Sequence, residues 1–328
     1  MESEEEYDDE RLCNYEKLSD VFNNYNIYGE VIHSTNDFIF IEEVGHGSYG
    51  EVHMVENKKN NNISVLKEVY SFNSDQNIVK CFIREILILK NLMHPNIIKI
   101  KGFAQNFLDG TVYIEYDYYP NTLYDIMLMD KEINENTIKL IIYQLFDALS
   151  YIHCKGIFHR DVTPSNILLS SNDKVVLTDF NMSKYINSFQ NDIKCHTPCL
   201  TTLQYRAPEV LLDIPDYNES IDIWAVGCIL VEMINNGEPL FGGNSDLEQL
   251  KNIFSIIGLP NESNLPGYDS IPFFQYFSVE IQEFKSLKNT LKKITDECVL
   301  DLLNQIFTYD YKKRLKAMEG KTHPYLSR

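Results

Sequence analysis

The sequence predicts an α+β protein with two lobes, a small β-rich N-terminal lobe with one main helix and a larger, mainly helical C-terminal lobe. Residues 38–116 alternate short β-branched and aromatic runs with turns rich in glycine and asparagine, as the strands of a sheet do. From residue 122 onward, longer segments carry apolar residues at helical spacing. A chain of 328 residues is long enough to bury two substantial cores.

The lobe boundary is predicted near residues 118–120, because Pro120 and Asn121 interrupt the pattern there. We therefore divide the chain into an N-terminal extension (1–36), an N-terminal lobe (37–118) and a C-terminal lobe (119–328). The extension is acidic and rich in asparagine, and we expect its first ten residues to be disordered. Tyr15 to Ile32 would either add a helix or a strand to the core or bind a partner, and the sequence leaves both alternatives open.

Composition excludes several classes of protein. Hydrophobic residues make up 44% of the chain, yet no run approaches the roughly 18 to 20 apolar residues of a membrane-spanning helix. A net charge of −19 argues against a nucleic acid or an anionic membrane as partner. The first ten residues are acidic, unlike a secretory signal. Seven scattered cysteines, including Cys195 and Cys199, are typical of free thiols in a reducing compartment, so we expect a cytoplasmic and/or nuclear protein.

A glycine run follows the first predicted strand, which begins at Phe38. The run reads Gly45-His46-Gly47-Ser48-Tyr49-Gly50. Dinucleotide-binding folds share this spacing, but their glycines open a helix, whereas here a second β-rich run begins at Val52. No G-K-[ST] follows, which excludes a P-loop. We expect a strand–turn–strand flap whose backbone N–H groups approach phosphates and whose Val52 covers a base. A plain hairpin without a ligand is the alternative.

The residues that can do chemistry are concentrated between His153 and Lys184. A helical apolar run ends at Gly156, and a polar loop with Asp161 and Asn166 follows. Two short strands come next, and the second leads directly into Asp179. This order places two acids and an amide at the ends of adjacent strands, where we expect their side chains to converge on one cleft.

The motif H-R-D-x-x-x-x-N (159–166), followed by D-F-x (179–181), resembles the catalytic and magnesium loops of eukaryotic protein kinases. Other kinase-like motifs keep the family's order, so the match runs from Phe38 to about Tyr325. They are S-V-L-K ending at Lys67, Y-R-A-P-E at 205–209, a buried helix opened by Asp222, and Arg314, placed to pair with Glu209. The resemblance implies a bilobal protein kinase fold, with ATP and Mg²⁺ as cofactors.

The resemblance also implies a role for each matching residue. Asp161 would orient the substrate hydroxyl, while Asn166 and Asp179 would hold magnesium. Lys67, paired with Glu85 in a helix predicted over residues 78–92, would position the α- and β-phosphates. The positions that would contact the nucleotide are Gly45, His46, Gly47, Ser48, Tyr49, Gly50, Val52, Val65, Lys67, the gatekeeper Tyr116, the hinge residues Asp117 and Tyr119, and Leu168.

Three details resemble the cyclin-dependent and MAP kinase branch. Tyr205-Arg206 precedes the A-P-E anchor, and residues 240–262 resemble the insert of that branch. Ile83-Arg84-Glu85-Ile86 is similar to the partner-binding helix of cyclin-dependent kinases. This resemblance implies that the substrates are proteins and that Arg206 makes the enzyme proline-directed. It also implies a cyclin-like activating subunit, although the residues before Ile83 lack the typical cyclin-binding side chains.

Regulatory positions follow from the same resemblance. In cyclin-dependent kinases, three basic residues hold a phosphothreonine, and the matching residues here are Arg84, Arg160 and Lys184, with Thr197 as the threonine. Ser48 and Tyr49 match inhibitory phosphorylation sites in the flap, or are ordinary flap residues.

Two residues depart from the family. Asn181 stands where kinases carry glycine, and we expect a stiffer hinge there, since asparagine tolerates positive φ less well than glycine.

Thr163 stands where serine/threonine kinases carry a lysine that touches the transferred phosphate. Losing that cation costs on the order of 3 kcal/mol, roughly a hundredfold in rate. Two hypotheses follow: a protein serine/threonine kinase, or a pseudokinase that binds nucleotide with little or no phosphotransfer.

Overall fold

The structure is a computed structural model, and it describes residues 22, 32–47, 50–70, 76–129, 132–170, 172–185, 202–214, 217–265, 286–291 and 296–327. The chain forms two compact units. One comprises Met1–Met93 and Ile98–Tyr118, and the other comprises His94–Ile97 and Tyr119–Arg328. None of the described helices is both long enough and apolar enough to cross a membrane.

The N-terminal unit is built on a six-stranded sheet with one described helix of 15 residues, α1 (Gln76–Lys90). The strand order across the sheet is β1-β5-β6-β4-β3-β2. The strands are β1 (Ile32–Ser34), β2 (Phe38–Gly47), β3 (Gly50–Asn57), β4 (Ile63–Tyr70), β5 (Ile100–Gln105) and β6 (Val112–Asp117). Strand β1 pairs with β5 in parallel, and the other neighbours pair antiparallel.

The glycine run joins β2 to β3 as a hairpin, in which Gly45 pairs with Val52 and Gly47 with Gly50. This confirms the strand–turn–strand prediction against the helix that a dinucleotide-binding fold would place there. Position 50 requires glycine because the neighbouring strand β4 lies close to it. A Cβ at this position would lie 2.9 Å from the Cβ of Glu68 on β4.

One predicted strand is wrong. The apolar residues from Ile97 to Ile100 indicate a strand, but the structure begins β5 only at Ile100. Ile97 instead makes an isolated parallel bridge with Leu177. The preceding Asn96 explains this, because its side chain donates hydrogen bonds to Gln144 and to the Val175 carbonyl at 2.8 and 2.7 Å and so ties the segment to the C-terminal unit.

The described part of the C-terminal unit is mainly helical and contains five short strands. Its helices are α2 (Leu123–Leu128), α3 (Glu135–Cys154), α4 (Pro208–Leu211), α5 (Ser220–Ile234), α6 (Asp246–Ile257), α7 (Leu287–Thr290), α8 (Glu297–Ile306) and α9 (Ala317–Lys321). Its strands are β7 (Asn121–Thr122), β8 (Ile157–Phe158), β9 (Ile167–Leu169), β10 (Val175–Leu177) and β11 (Lys184–Tyr185). Strands β10, β9 and β7 form one small sheet, and β11 pairs with β8.

Helix α3 leads into the catalytic residues, and local signals fix both of its ends. Asn134 accepts a hydrogen bond from the backbone N–H of Thr137 at 2.9 Å, as an N-cap does. The helix ends at Cys154, two residues before Gly156, whose φ of +70° suits glycine. The predicted helix stop at Gly156 is confirmed, so the loop that follows starts at a defined point.

An ion pair anchors the segment that precedes α5. Arg314 donates to both carboxylate oxygens of Glu209, at 2.5 and 2.9 Å, and both residues are buried. The guanidinium also donates to the carbonyls of Thr308 and Ser220 and lies 5.1 Å from the ring centre of Trp224. The predicted bidentate, buried contact is confirmed, and further acceptors satisfy the charge.

Candidate active site

A lysine and a glutamate meet in the N-terminal unit, where β4 faces α1. Lys67 Nζ lies 3.2 Å from Glu85 Oε1 and 3.5 Å from Oε2. Glu85 is only 2% exposed, and its Oε1 also accepts a hydrogen bond from the Tyr116 hydroxyl at 3.0 Å. A buried carboxylate needs both a counter-charge and hydrogen bonds, and these two partners supply them. The sequence predicts Tyr116 as a gatekeeper, but no local pattern indicates that its hydroxyl binds Glu85.

The remaining N-terminal positions predicted to contact nucleotide surround this pair. Val52 is opposite Lys67 across β3 and β4, and Val65 is opposite Tyr116 across β4 and β6. Because these pairs are in register, the two valines lie beside the lysine and the tyrosine in the sheet. Ser48 and Tyr49 lie outside the described residues, and so does the side chain of His46.

The predicted hinge spans the junction of the two units in sequence. Asp117, the last residue of β6, is exposed, and its Oδ1 lies 3.1 Å from Lys101 Nζ. Tyr119 begins the C-terminal unit and is half-buried. Leu168, also half-buried, is the central residue of β9 and is opposite Val176 of β10.

One buried carboxylate shapes the catalytic loop, residues 159–166. Asp222 on α5 accepts hydrogen bonds from the backbone N–H groups of His159 and Arg160, both at 2.8 Å, and the ring of His153 lies 2.8 Å from its Oδ2. Burial opposes its ionisation, but its interactions with His153 and His159, first among them the hydrogen bond with His153, together outweigh burial and lower the pKa of Asp222. These bonds hold Arg160 in a left-handed conformation with φ of +70°. The resemblance to kinases predicts that the acid opening this helix braces the catalytic loop, and these bonds confirm it.

Asp161 and Asn166 are joined directly within this loop. The Asn166 amide nitrogen donates to the backbone carbonyl and to Oδ2 of Asp161, both at 2.9 Å. Among the described residues, the other carboxylate oxygen of Asp161, Oδ1, is buried and has no hydrogen-bond partner. Burial, reinforced by the charge of Asp179, raises the pKa of Asp161 to about 6. The loop therefore leaves one carboxylate oxygen of Asp161 without a hydrogen bond from the described residues, on a residue that also lines a cavity.

Asp179 starts a tight turn behind the catalytic loop. Its φ is +64°, and a 3₁₀ turn over Phe180–Met182 follows. The Phe180 ring is fully buried and packs edge-on against His159, with ring centres 4.7 Å apart. A ring nitrogen of His159 lies 2.9 Å from the Thr178 carbonyl, and burial lowers the pKa of this histidine, which keeps it neutral. The histidine and phenylalanine thus fix where Asp179 lies relative to Asp161.

The stiffer hinge expected at Asn181 assumes a positive φ at that residue, and this assumption is wrong. Asn181 lies inside the 3₁₀ turn and does not have a positive φ; the left-handed residue is Asp179. Asparagine is therefore tolerated here without backbone cost. Its side chain is 4% exposed, and its Oδ1 has no partner among the described residues.

Thr163 occupies the position of the missing lysine, and a cation lies on the wall of the same cavity. Thr163 is 4% exposed and immediately precedes the Pro164–Asn166 turn. Asp161, Thr163 and Arg206 all line one cavity. The positive charge of Arg206 works against the rise in the pKa of Asp161, and its Nη1 donates to Asp246 at 2.9 Å. The cavity therefore contains a positive charge although Thr163 brings none.

The predicted phosphothreonine-binding residues are only partly described. Arg160 Nε donates to the Met182 carbonyl at 2.5 Å, and its Nη1 lies 3.4 Å from the Tyr217 hydroxyl. Lys184 is opposite Phe158 across β11 and β8. Arg84 is a half-buried residue of α1. Thr197, together with Cys195 and Cys199, lies outside the described residues, so this regulatory site stays a prediction.

Sequence reasoning missed a buried contact directly before Arg206. The Tyr205 hydroxyl donates to Glu232 Oε2 at 2.7 Å, and Glu232 is 4% exposed. Burial raises the pKa of Glu232 to about 7, although the hydrogen bond from Tyr205 opposes this. The signal in the sequence is a second acid in the largely apolar α5, and it does not identify its partner.

The side chains of the catalytic loop fit a magnesium ion chemically. Magnesium prefers oxygen ligands, often one or two carboxylates together with phosphate oxygens. Since the amide nitrogen of Asn166 is engaged with Asp161, its amide oxygen is the atom that can bind a metal. Asp179 supplies a carboxylate whose charge acts on Asp161. An amide oxygen and a carboxylate from neighbouring turns are the donor set that this ion requires.

We expect activity to depend on pH through Asp161. A general base works only when deprotonated, and the pKa of Asp161 is raised to about 6. The kcat/KM for a protein substrate should therefore rise between pH 5 and pH 7 with an apparent pKa of about 6. Full recovery after a short incubation at pH 5 would separate this effect from unfolding. A rate that stays constant over the range would contradict the role of Asp161.

Comparison with known proteins gives consistent matches. Residues 38–326 match the family described as protein kinase domain. A Dictyostelium discoideum protein named "Probable cyclin-dependent kinase 10" is 33% identical over 295 residues, which covers 89% of this chain and 79% of that protein. "Cyclin-dependent kinase 11" of the same organism is 30% identical over 293 residues, covering 89% and 80%.

A plant protein gives a similar match over a smaller share of its length. "Cyclin-dependent kinase G-1" of Oryza sativa subsp. indica is 31% identical over 299 residues, covering 89% of this chain and 43% of that protein. The chain therefore matches less than half of the rice protein but most of each Dictyostelium relative.

Proposed function

We propose, since this chain belongs to the protein kinase family and to its cyclin-dependent-kinase-like serine/threonine branch, that it transfers the γ-phosphate of ATP to serine and threonine hydroxyls of other proteins. The observation that carries this proposal is the geometry of Asp161. Its Oδ2 and carbonyl are held by Asn166, while its Oδ1 is buried without a partner among the described residues. An acceptor fixed in this way suits a substrate hydroxyl.

Each half of the proposed reaction has its own residues. In the N-terminal unit, Lys67 is held by Glu85 and can position the phosphates of ATP. In the C-terminal unit, Asp161 can accept or orient the proton of the attacking hydroxyl. Protein kinases in general use ATP and Mg²⁺, and we propose that Asn166 and Asp179 hold the ion here. When bound, the ion neutralises charge on the transferring phosphate.

Thr163 does not by itself indicate a pseudokinase. A scaffold without phosphotransfer would not need the part-buried Lys67–Glu85 pair or the braced catalytic loop. The charge of Arg206 in the same cavity as Asp161 also supports residual catalysis. We therefore propose a competent enzyme whose rate is reduced at the Thr163 position.

The substitution Thr163→Lys tests this proposal. A lysine would add a positive charge beside Asp161, where the transferred phosphate develops negative charge, so we expect kcat to rise by up to about a hundredfold. The KM for ATP should stay the same within about twofold, because this interaction forms only in the transition state. The measurement is steady-state transfer of radiolabelled phosphate from ATP to a protein substrate.

Thr163→Met is the matched control, because it adds similar length without charge. If both variants change kcat equally, side-chain size rather than charge decides the rate, and the explanation through the missing lysine fails. If the parent shows no transfer and Thr163→Lys does, the protein is a pseudokinase in its natural form.

The proposal extends to partners and location. We propose protein substrates, and a cyclin-like activating subunit supported by the names of the relatives and by the likeness of Ile83-Arg84-Glu85-Ile86 to a partner-binding helix. Free cysteines among the described residues, exposed Cys154 and buried Cys228, support a reducing location in the cytoplasm and/or nucleus. Co-purification with a tagged chain and fluorescence imaging test these two proposals.

A further inference from the structure

Two separate parts of the N-terminal extension meet at one residue of the sheet. The ring of Phe22 lies against Phe103 of β5, with ring centres 4.7 Å apart and planes at 72°. Further along the chain, Ile32 of β1 is opposite the same Phe103 in a parallel register. Phe22 is 4% exposed, as buried as the core itself. The sequence leaves open whether residues 15–32 add to the core or bind a partner. Phe22 and Ile32 both pack against the core.

Phe103 connects this extension to helix α1. The ring of Phe82 on α1 lies edge-on to Phe103, with ring centres 6.4 Å apart and planes at 88°. Phe82 is 1% exposed and Phe103 is fully buried. We call Phe22, Phe82 and Phe103 the aromatic cluster. Edge-to-face pairs at these distances are favourable beyond the area that they bury, so the cluster couples the extension to the helix.

The aromatic cluster lies on the same side of α1 as Glu85. Phe82 precedes Glu85 by three residues, which places both side chains on one face of the helix. That face is buried, and it includes Ile86 and Leu89. The hydrogen bonds that Glu85 accepts from Lys67 at 3.2 Å and from Tyr116 at 3.0 Å are sensitive to small shifts of the helix. Because helices in proteins depend on tertiary packing, whatever packs this face sets the position of Glu85.

We propose that Phe22 is a positioning residue for phosphotransfer: by completing the aromatic cluster, it holds α1 where Glu85 can fix Lys67. The proposal rests on the proposed kinase function, because it assigns Phe22 an effect on the residue that would bind phosphate. The segment that would order α1 is then the N-terminal extension of this chain itself. Phe22 itself touches none of the reacting groups.

The first test measures hydrogen exchange of the α1 amides in the full chain, which requires no enzymatic activity. We compare the parent with Phe22→Ala, Phe22→Leu and Phe107→Ala. Phe107 lies in the turn between β5 and β6 and is 61% exposed, so Phe107→Ala removes an equal side chain from the same unit without opening the core. We expect Phe22→Ala to speed exchange in α1 by about tenfold or more, while Phe107→Ala leaves it unchanged.

The second test asks whether Phe22 acts through Glu85. We expect Phe22→Ala to lower kcat/KM for ATP by about tenfold and Phe22→Leu to retain most of it, because leucine refills the cavity. In a Glu85→Gln background, Phe22→Ala should cause little further loss, since the interaction that it supports is already broken. If the parent transfers no phosphate, binding of ATP and Mg²⁺, measured by thermal shift, replaces kcat/KM in this cycle.

Two results would overturn the proposal. One is equal hydrogen exchange in α1 for the parent and Phe22→Ala. The other is an undiminished effect of Phe22→Ala in the Glu85→Gln background, which would mean that Phe22 only stabilises the fold. Failure of the kinase function would appear separately, as absent transfer by a parent whose α1 exchange still depends on Phe22.

Discussion

Replacing Asp161 by asparagine is expected to lower kcat by about 10² to 10⁴, the usual contribution of a positioned general base. Asparagine keeps the size of the side chain but removes the negative charge and the basic oxygen, so binding of ATP should change little. The natural measurement is the rate of transfer from ATP to a protein substrate at saturating ATP, together with the KM for ATP.

Asp173→Asn is the matched control for this change. Asp173 is exposed, and its φ of +56° is a conformation that asparagine also adopts, so the same chemical change there should leave the rate within about twofold. Equal thermal stability of both variants would show that the loss is catalytic. If Asp161→Asn kept the parent's kcat, Asp161 could not be the base.

Breaking the Glu209–Arg314 pair is expected to cause the largest loss of stability. The substitution Arg314→Met leaves the carboxylate of Glu209 buried without its partner, which costs about 3 to 5 kcal/mol in the free energy of unfolding. Methionine retains much of the volume next to Trp224, so the loss reports mainly on charge and hydrogen bonds. Urea unfolding, followed by fluorescence of the single tryptophan, measures the effect.

The neighbouring Lys313 gives a comparison within the same segment. Its Nζ lies 2.9 Å from Asp310, but its side chain is 72% exposed, so Lys313→Met should cost at most about 1 kcal/mol. Similar losses for Lys313→Met and Arg314→Met would contradict the view that burial makes the Glu209–Arg314 pair important.

Sequence reasoning succeeds where a motif and its local pattern determine the structure together. The glycine run could be assigned to a hairpin because β-rich residues follow it, and Gly156 ends α3 because its backbone needs a positive φ. Asp222 and Arg314 could be assigned partners because the kinase-like motifs fix their roles. In each case, the deciding information lies within a few residues of the chain, or in a kinase-like motif whose residue has a known partner in another motif.

It fails where a contact depends on residues that are distant in sequence. Ile97 has the composition of a strand, but Asn96 ties this segment into the C-terminal unit, and no local signal predicts those hydrogen bonds. The bond from Tyr116 to Glu85 joins residues 31 positions apart. Phe22 packs on Phe103, and a single aromatic residue in an asparagine-rich extension does not indicate its partner.

Phosphoamino-acid analysis shows directly whether this chain transfers phosphate from ATP to serine or threonine. The purified full chain is incubated with ATP labelled at the γ-phosphate, Mg²⁺ and a mixed protein substrate, and the labelled residues are identified after hydrolysis. We predict label on serine and threonine that disappears when Mg²⁺ is chelated. Label on tyrosine alone, or no label above a reaction without the protein, would contradict the claim.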